Sequence, residues 1–117
     1  MHELSLAQAL VDRIVDAAEH ECALRVERVV VLIGVYSGVE RDAFEFAFPF
    51  AAEGTLVEGA ELVIETSAAD AVCGNCRADF KASGIGIRCP ECGSDIFTLQ
   101  GGREFLIRSI DLEIGES

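Results

Sequence analysis

Two pairs of cysteines in the second half of the chain have the spacing of metal-binding knuckles. Cys73 and Cys76 enclose Gly-Asn, and Cys89 and Cys92 enclose Pro-Glu. Two intervening residues let both sulfurs of a pair turn toward one ion, and the glycine and proline suit the tight turns that this requires. Four thiolates arranged tetrahedrally match Zn²⁺ and leave no open coordination position. The sequence therefore predicts a structural zinc site that contributes folding energy.

The same four cysteines admit other chemistries, and each of these meets an objection. Two disulfides need an oxidising compartment, whereas the N-terminus shows no basic segment leading into an apolar one. A rubredoxin-like iron site shares the Cys-Pro-Glu-Cys-Gly knuckle, but the twelve residues between the pairs are few for that fold. A nucleic-acid-binding zinc ribbon is typically basic, whereas residues 71–100 carry three basic and three acidic side chains.

His2 is the second candidate metal ligand. The α-amine of Met1, the amide nitrogen that follows it and the imidazole of His2 can close fused chelate rings around one ion. Deprotonated amide nitrogens demand a strongly Lewis-acidic ion that tolerates square-planar geometry, which indicates Ni(II) or Cu(II). The alternative interpretation is that His2 stands at the terminus by accident and binds no metal.

His20 and Cys22 are interpreted as residues without a metal-binding or catalytic role. His20 lies in the last turn of the first predicted helix, where a cation is favoured by the helix dipole, and is interpreted as an exposed surface residue. Cys22 follows that helix and is interpreted as a small buried hydrophobe or an inert thiol, because the sequence around it offers no base.

The charge of the chain argues against some classes of partner. The chain has nine lysines and arginines and 21 aspartates and glutamates, for a net charge of −12. Phosphate backbones and anionic membranes attract clustered positive charge, so we expect neither nucleic-acid nor membrane binding. The longest apolar run is also far shorter than the roughly 20 residues that span a bilayer, and a cytoplasmic protein is expected.

The acidic residues are unevenly distributed, which predicts the domain organisation. Residues 1–70 carry 14 acidic and 4 basic side chains, whereas residues 71–100 are neutral overall and contain four of the five cysteines. The latter segment also has several glycines and little periodicity, as expected for a loop-rich module held together by a metal. The sequence predicts an α/β domain formed by 1–70 plus 101–117, with a zinc-binding module inserted at 71–100.

Periodicity predicts two helices and three strands outside the module. Apolar residues at helical spacing predict helices over 4–21 and 40–48, the second of which Pro49 should kink or end. Continuous or alternating apolar patterns predict three strands, a central one at 25–33 and others at 62–66 and 104–114. The last two strands are expected to pair with each other. The fold class expected is α+β, with two helices on a three-stranded mixed sheet and an inserted zinc-ribbon-like four-cysteine module.

Short motifs along the chain occur in a distinctive order. The chain opens Met-His-Glu-Leu-Ser and continues with Ile-Gly-x-x-Ser-x-Val-Glu at 33–40 and Phe-x-Phe-Ala-Phe at 44–48. Gly-Thr-Leu-x-Glu-Gly-Ala-Glu-Leu at 54–62, the two cysteine knuckles and Gly-Gly-x-Glu-Phe-x-Ile-x-Ser-Ile at 101–110 follow. Together these motifs cover essentially the whole chain, which resembles the HypA/HybF family of hydrogenase-maturation nickel metallochaperones.

The resemblance implies a ligand set for each of two metals. Nickel would be held by the imidazole of His2, the amine of Met1 and the backbone amides of His2 and Glu3. Glu40 matches an acidic position that approaches the nickel in the family. Zinc would be bound by the four knuckle cysteines, Cys73, Cys76, Cys89 and Cys92.

The resemblance also implies a function and partners. Family members pass nickel to the precursor of the [NiFe]-hydrogenase large subunit, working with a GTPase accessory protein, and some also serve urease and its accessory proteins. The chain would be a metallochaperone with Ni(II) as cargo and structural Zn(II), and not an enzyme, since the sequence shows no nucleophile–base constellation. The alternatives are a zinc-ribbon adaptor that binds no nickel and a small redox protein that uses the four thiolates.

Overall fold

The computed structural model of the chain describes residues 2–115. The elements are, in chain order, α1 (His2–His20), β1 (Ala23–Gly34), α2 (Arg41–Ala52), β2 (Glu61–Ser67), β3 (Ala69–Cys73), β4 (Asp79–Ala82), β5 (Phe97–Gln100) and β6 (Phe105–Ile114). The strands form two three-stranded sheets, ordered β2-β1-β6 and β4-β3-β5. The predicted α+β class, with two helices, a mixed three-stranded sheet and an inserted four-cysteine module, is confirmed. Within 2–115, no helix is long and apolar enough to cross a membrane.

The described residues divide into two compact units. Residues 2–31, 39–64 and 107–115 form the first, which we call the helical unit, and residues 32–38 and 65–106 form the second, the cysteine unit. The predicted division into a domain of 1–70 plus 101–117 and a module at 71–100 stays a prediction.

Both helices of the helical unit are amphipathic, and they pack against each other. The buried residues of α1 recur every three or four positions, at Ala7, Leu10, Val11, Ile14 and Ala18. Those of α2 follow the same rule, at Phe44, Ala47, Phe48 and Ala52. Since burying one large aliphatic or aromatic side chain contributes about 1.5–3 kcal/mol, these stripes hold the two helices in place.

Helix α2 continues through Pro49 to Ala52, so the expected end at residue 48 is wrong. A proline lacks the amide hydrogen and crowds the preceding turn, which normally stops a helix. Here only three helical residues follow it, and one of them, Ala52, is buried on the same face as Phe48. The helix then closes with the N–H of Glu53 donating to the carbonyl of Phe50 at 3.4 Å.

Strand β1 is the central strand, as predicted, but the expected pairing of the last two strands of this sheet is wrong. Strands β2 and β6 lie on opposite sides of β1. The side chains of Val29, Val31 and Ile33 in β1 are buried. A strand this apolar is best placed where both of its edges are paired, and the more polar β2 and β6 form the edges.

The cysteine unit contains more regular structure than its composition predicts. Strand β3 pairs antiparallel with both β4 and β5, with Ala69 opposite Ala82 and Cys73 opposite Phe97. Burial alternates strictly along β3. Most of 71–100 still lies outside these strands, as the loop-rich expectation has it, but the strands themselves were not predicted. At five and four residues they are too short to give a periodic signal.

Candidate metal centres

The side chains of the four knuckle cysteines converge in the cysteine unit. All four Sγ atoms lie within 4.8 Å of one another. The Sγ atoms of Cys73 and Cys92 are 3.6 Å apart, and so are those of Cys76 and Cys89. A tetrahedral zinc ion with Zn–S bonds of about 2.3 Å places its sulfurs about 3.8 Å apart. The cluster therefore has the donor type, the number and the spacing that a zinc ion requires.

Tight turns present the two members of each pair. In the first knuckle, which follows β3, the N–H of Arg77 donates to the carbonyl of Cys73 at 3.1 Å. In the second, the N–H of Gly93 donates to the carbonyl of Cys89 at 2.8 Å, and Gly93 has a φ of 78°. A positive φ strains residues that carry a Cβ, so the glycine after the second Cys-x-x-Cys allows this turn. Both turns follow from sequence local to each knuckle, which explains why the spacing predicted the cluster.

Backbone amides point at the sulfurs of the first residue in each knuckle. The N–H groups of Asn75 and Cys76 donate to Sγ of Cys73 at 3.3 and 3.4 Å. These donors, the amide of Cys76 first and then that of Asn75, lower the pKa of Cys73 to about 6. In the second knuckle the N–H of Glu91 donates to Sγ of Cys89 at 3.4 Å. Such bonds stabilise thiolates and orient them toward a common ion.

The thiol of Cys76 shows why a cation is needed among the sulfurs. The amide of Ala78 lowers the pKa of Cys76, but the nearby thiol of Cys89, the loss of hydration and the other two cysteines together raise it to about 12. Four negative sulfurs this close repel one another, so only a bound cation lets all four ionise. Cys73 and Cys89 are buried and Cys76 and Cys92 are exposed, so the cluster lies at the surface of the module.

The N-terminal candidates lie at the start of α1. The side chain of His2 is 68% exposed, and its Nδ1 lies 3.8 Å from Oε2 of Glu3. The amides in the first turn of a helix have no acceptor within the helix, so no helix bond occupies those of His2 and Glu3. The amide of Glu3 donates instead to its own carboxylate. The predicted contribution of the Met1 amine lies outside the described residues.

The side chain of Glu3 connects this terminus to α2. Its Oε2 accepts a hydrogen bond from the backbone N–H of Glu40 at 3.1 Å. That bond, together with the amide of Glu3 itself, holds the pKa of the Glu3 carboxyl below its usual value, although burial opposes the shift. The contact is made by the backbone of Glu40, and the approach of its carboxylate to a nickel ion stays a prediction.

Glu40 itself is the N-cap of α2, whereas the predicted helix at 40–48 had Glu40 inside it. Its carboxylate accepts from the N–H groups of Asp42 at 3.2 Å and Ala43 at 2.6 Å. The amides of the first helical turn have no acceptor within the helix, so a side chain that accepts from them stabilises the start of the helix. The sequence signal for this cap was an acidic residue immediately before an apolar pattern with helical spacing.

Cys22 is exposed, so of its two interpretations the buried hydrophobe is wrong and the inert thiol stays a prediction. It follows α1 with a left-handed φ of 56°, and its N–H donates to the carbonyl of Glu19 at 3.0 Å. This is the conformation that commonly ends a helix, and it turns the thiol outward. His20, at the end of α1, is exposed as expected.

Comparisons with known proteins agree along nearly the full length of the chain. A family model described as "Hydrogenase/urease nickel incorporation, metallochaperone, hypA" matches residues 1–112. A protein of Chlorobium limicola named hydrogenase maturation factor HypA is 47% identical over 116 residues, which cover 99% of this chain and 100% of the relative. A protein of the same name from Caldanaerobacter subterraneus is 40% identical over 114 residues, which cover 97% and 100%.

Solved structures with the same fold carry the same name. The solution structure of the Ni metallochaperone HypA from Helicobacter pylori aligns with a TM-score of 0.66 and 28% identity, covering 97% of this chain and 98% of that one. A second solution structure, of a HypA protein, aligns with a TM-score of 0.65 and 30% identity over 96% of each chain.

Proposed function

This chain belongs to the HypA family of nickel-incorporation metallochaperones for hydrogenase maturation, and from that premise we propose that it binds Ni(II) at its N-terminus and delivers it to a hydrogenase precursor. The observation that carries the proposal is the exposed imidazole of His2 at the first turn of α1, beside a Glu3 that is anchored to α2. Exposed ligands on an anchored helix start are accessible to a nickel-accepting protein.

Nickel is the cargo in this proposal, and its ligands are the imidazole of His2, the amine of Met1 and the backbone amides of His2 and Glu3. Consecutive donors of one chain terminus form five- and six-membered chelate rings, and amide nitrogens select square-planar ions such as Ni(II). Glu40 is the candidate auxiliary ligand. Since its two oxygens already accept helix amides, only their remaining lone pairs are available to the metal.

Zinc is the resident metal in this proposal. Cys73, Cys76, Cys89 and Cys92 would hold it in a closed tetrahedral site, which the spacing of their sulfurs fits. A closed thiolate site exchanges its metal poorly and supplies folding energy to the module around it. The two metals therefore have separate roles, one structural and one transported.

The partners follow from the hydrogenase-maturation role of the family. We propose that the nickel passes to the precursor of the [NiFe]-hydrogenase large subunit in the cytoplasm, with a GTPase accessory protein assisting. Urease accessory proteins are a second proposed recipient. The chain acts in this scheme by binding and releasing a metal, and it catalyses no reaction.

A complementation experiment tests delivery. A bacterium that makes a [NiFe]-hydrogenase and lacks its own family member should regain hydrogenase activity when given this chain, and should regain little when given His2→Ala. The matched control is His20→Ala, which removes an exposed histidine from the other end of the same helix and should restore activity fully. Full activity with His2→Ala, at equal protein level and limiting nickel, would overturn delivery from this site.

A further inference from the structure

Helix α2 presents two aromatic side chains to solvent. Phe46 is 73% exposed and Phe50 is 60% exposed. Their ring centroids are 5.4 Å apart, so the two rings form one continuous surface. The core of the helical unit does not use them, since the buried face of α2 is formed by other residues. Large contiguous apolar surface exposed on a small domain typically marks a site of interaction.

A groove of about 400 Å³ lies beside this aromatic pair, within the helical unit. It is lined by Glu3, Leu4, Ala43, Phe46, Ala47 and Phe50. We call this surface the Phe46 groove. Leu4 is itself 41% exposed, so α1 supplies one apolar wall and α2 supplies the other. The groove is large enough to receive a large apolar side chain.

Negative charge borders the Phe46 groove. Asp42 is exposed and lies four residues before Phe46 in α2, so helical spacing places its carboxylate beside the aromatic pair. Glu3 adds a second carboxylate in the groove wall. The occupant must therefore combine an apolar anchor with positive charge.

We propose that the Phe46 groove docks a segment of a partner protein that presents an aliphatic or aromatic side chain flanked by lysine or arginine. The acidic rim excludes the obvious alternatives. A second copy of this chain carries a net charge of −12 and would bring the same carboxylates to the same place. An anionic membrane surface is repelled for the same reason.

The position of the groove links docking to the metal. Glu3 lines the groove and also adjoins His2. A segment bound there lies next to the proposed nickel ligands, so the docked protein is suited to accept or assist transfer of the ion. This link rests on the proposed function, whereas the docking surface itself does not.

Peptide selection tests the proposal without a known partner. A phage library of random dodecapeptides is panned against the immobilised zinc-loaded chain, and the best peptide is labelled for fluorescence anisotropy. We expect selected peptides to share an apolar residue flanked by lysine or arginine. Binding of the best one should weaken by at least about tenfold in the Phe46→Ser/Phe50→Ser variant, because the apolar anchor loses its contacts. Ile85→Ser, which alters a fully exposed isoleucine of the cysteine unit, should bind as the wild type does.

A second variant tests the charge independently of the aromatic rings. Asp42→Asn leaves both aromatic rings in place and removes the carboxylate beside them, so it should weaken binding and make it less sensitive to salt. No saturable peptide binding, selection of neutral or acidic peptides, or equal affinity for the double serine variant would overturn the proposal. Conversion of a wild-type dimer to a monomer by the serine substitutions, measured by sedimentation, would instead assign the surface to a second copy.

Nickel titration separates this proposal from the proposed function. The Phe46→Ser/Phe50→Ser variant should bind nickel as the wild type does, and His2→Ala should bind the selected peptide as the wild type does. A wild-type chain that binds the peptide and no nickel would overturn the nickel site and leave docking intact. A chain that binds nickel and no peptide would overturn docking alone.

Discussion

The carboxylate of Glu3 accepts a hydrogen bond from the backbone amide of Glu40, which lies 37 residues later in the chain. The bond joins the first turn of α1 to the residue that caps α2. Its consequence is that the chain is anchored at its third residue while the imidazole of His2 remains 68% exposed. A metal held there is fixed to the helical unit by its neighbour and is still accessible to another protein.

Replacing Glu40 should destabilise α2. Glu40→Ala removes the side chain that satisfies the amides of Asp42 and Ala43, and loss of an N-cap costs about 0.5–2 kcal/mol. Chemical denaturation should show this loss for Glu40→Ala and should show little of it for Glu40→Asn, which can still cap. An alanine variant as stable as the wild type would contradict the capping role. Nickel affinity in the equally stable Glu40→Asn variant then reports on the auxiliary ligand, since that variant lacks the carboxylate.

Removing one knuckle cysteine should expel the zinc. Cys76→Ala leaves three sulfurs, which no longer close the tetrahedron, so we expect the zinc to be lost and residues 71–100 to become disordered. Zinc analysis and amide hydrogen exchange measure the two effects. Cys22→Ala, which removes the cysteine outside the cluster, is the control and should retain its zinc. A folded module with wild-type zinc content in Cys76→Ala would refute the site.

Gly34 should not tolerate a side chain. A Cβ at this position would lie 2.3 Å from the carbonyl oxygen of Gly102, and β1 is held there by the N–H of Gly34 donating to the carbonyl of Glu104. Gly34→Ala should therefore destabilise the chain in urea by about 1–3 kcal/mol or more, as overpacking does. Gly84→Ala meets no atom within 4 Å and has only an unfavourable φ of +83°, so it should cost about 1 kcal/mol. Equal stability of Gly34→Ala and the wild type would show that β1 ends differently.

Glu104 should make the stability of the cysteine unit depend on pH. Its own backbone amide and the hydroxyl of Ser67, which donates at 2.9 Å, hold the pKa of the Glu104 carboxyl below the ordinary 4.5. A folded-state pKa below the unfolded one stabilises the fold above about pH 4.5, and that contribution disappears as the pH falls through the folded value. Glu104→Gln should therefore be less stable near neutrality and should approach the wild type in acid. Parallel denaturation midpoints for both proteins across that range would rule out this contribution.

The features that sequence predicted well are those set by local spacing. The buried stripe of α1 repeats every three or four residues, and the apolar run around Val31 identified the central strand. The two knuckles also follow from residues close together in the chain, since each turn is made by its own backbone hydrogen bonds. Local patterns of this kind can be interpreted without knowing which distant segments they contact.

The features that sequence missed depend on residues far apart. Helix α2 passes Pro49 and ends at the buried Ala52, and no local rule contains the packing of that residue. The pairing of β2 and β6 with β1, and the bond between Glu3 and Glu40, are likewise contacts between distant segments.

Nickel titration of the zinc-loaded chain with its native N-terminus tests the central claim most directly. Calorimetry on the wild type, His2→Ala and His20→Ala is followed by metal analysis of each protein. The account predicts a nickel site in the wild type and in His20→Ala that is lost in His2→Ala, with the zinc content unchanged in all three. Equal nickel binding by the wild type and His2→Ala, or no binding by either, would contradict it.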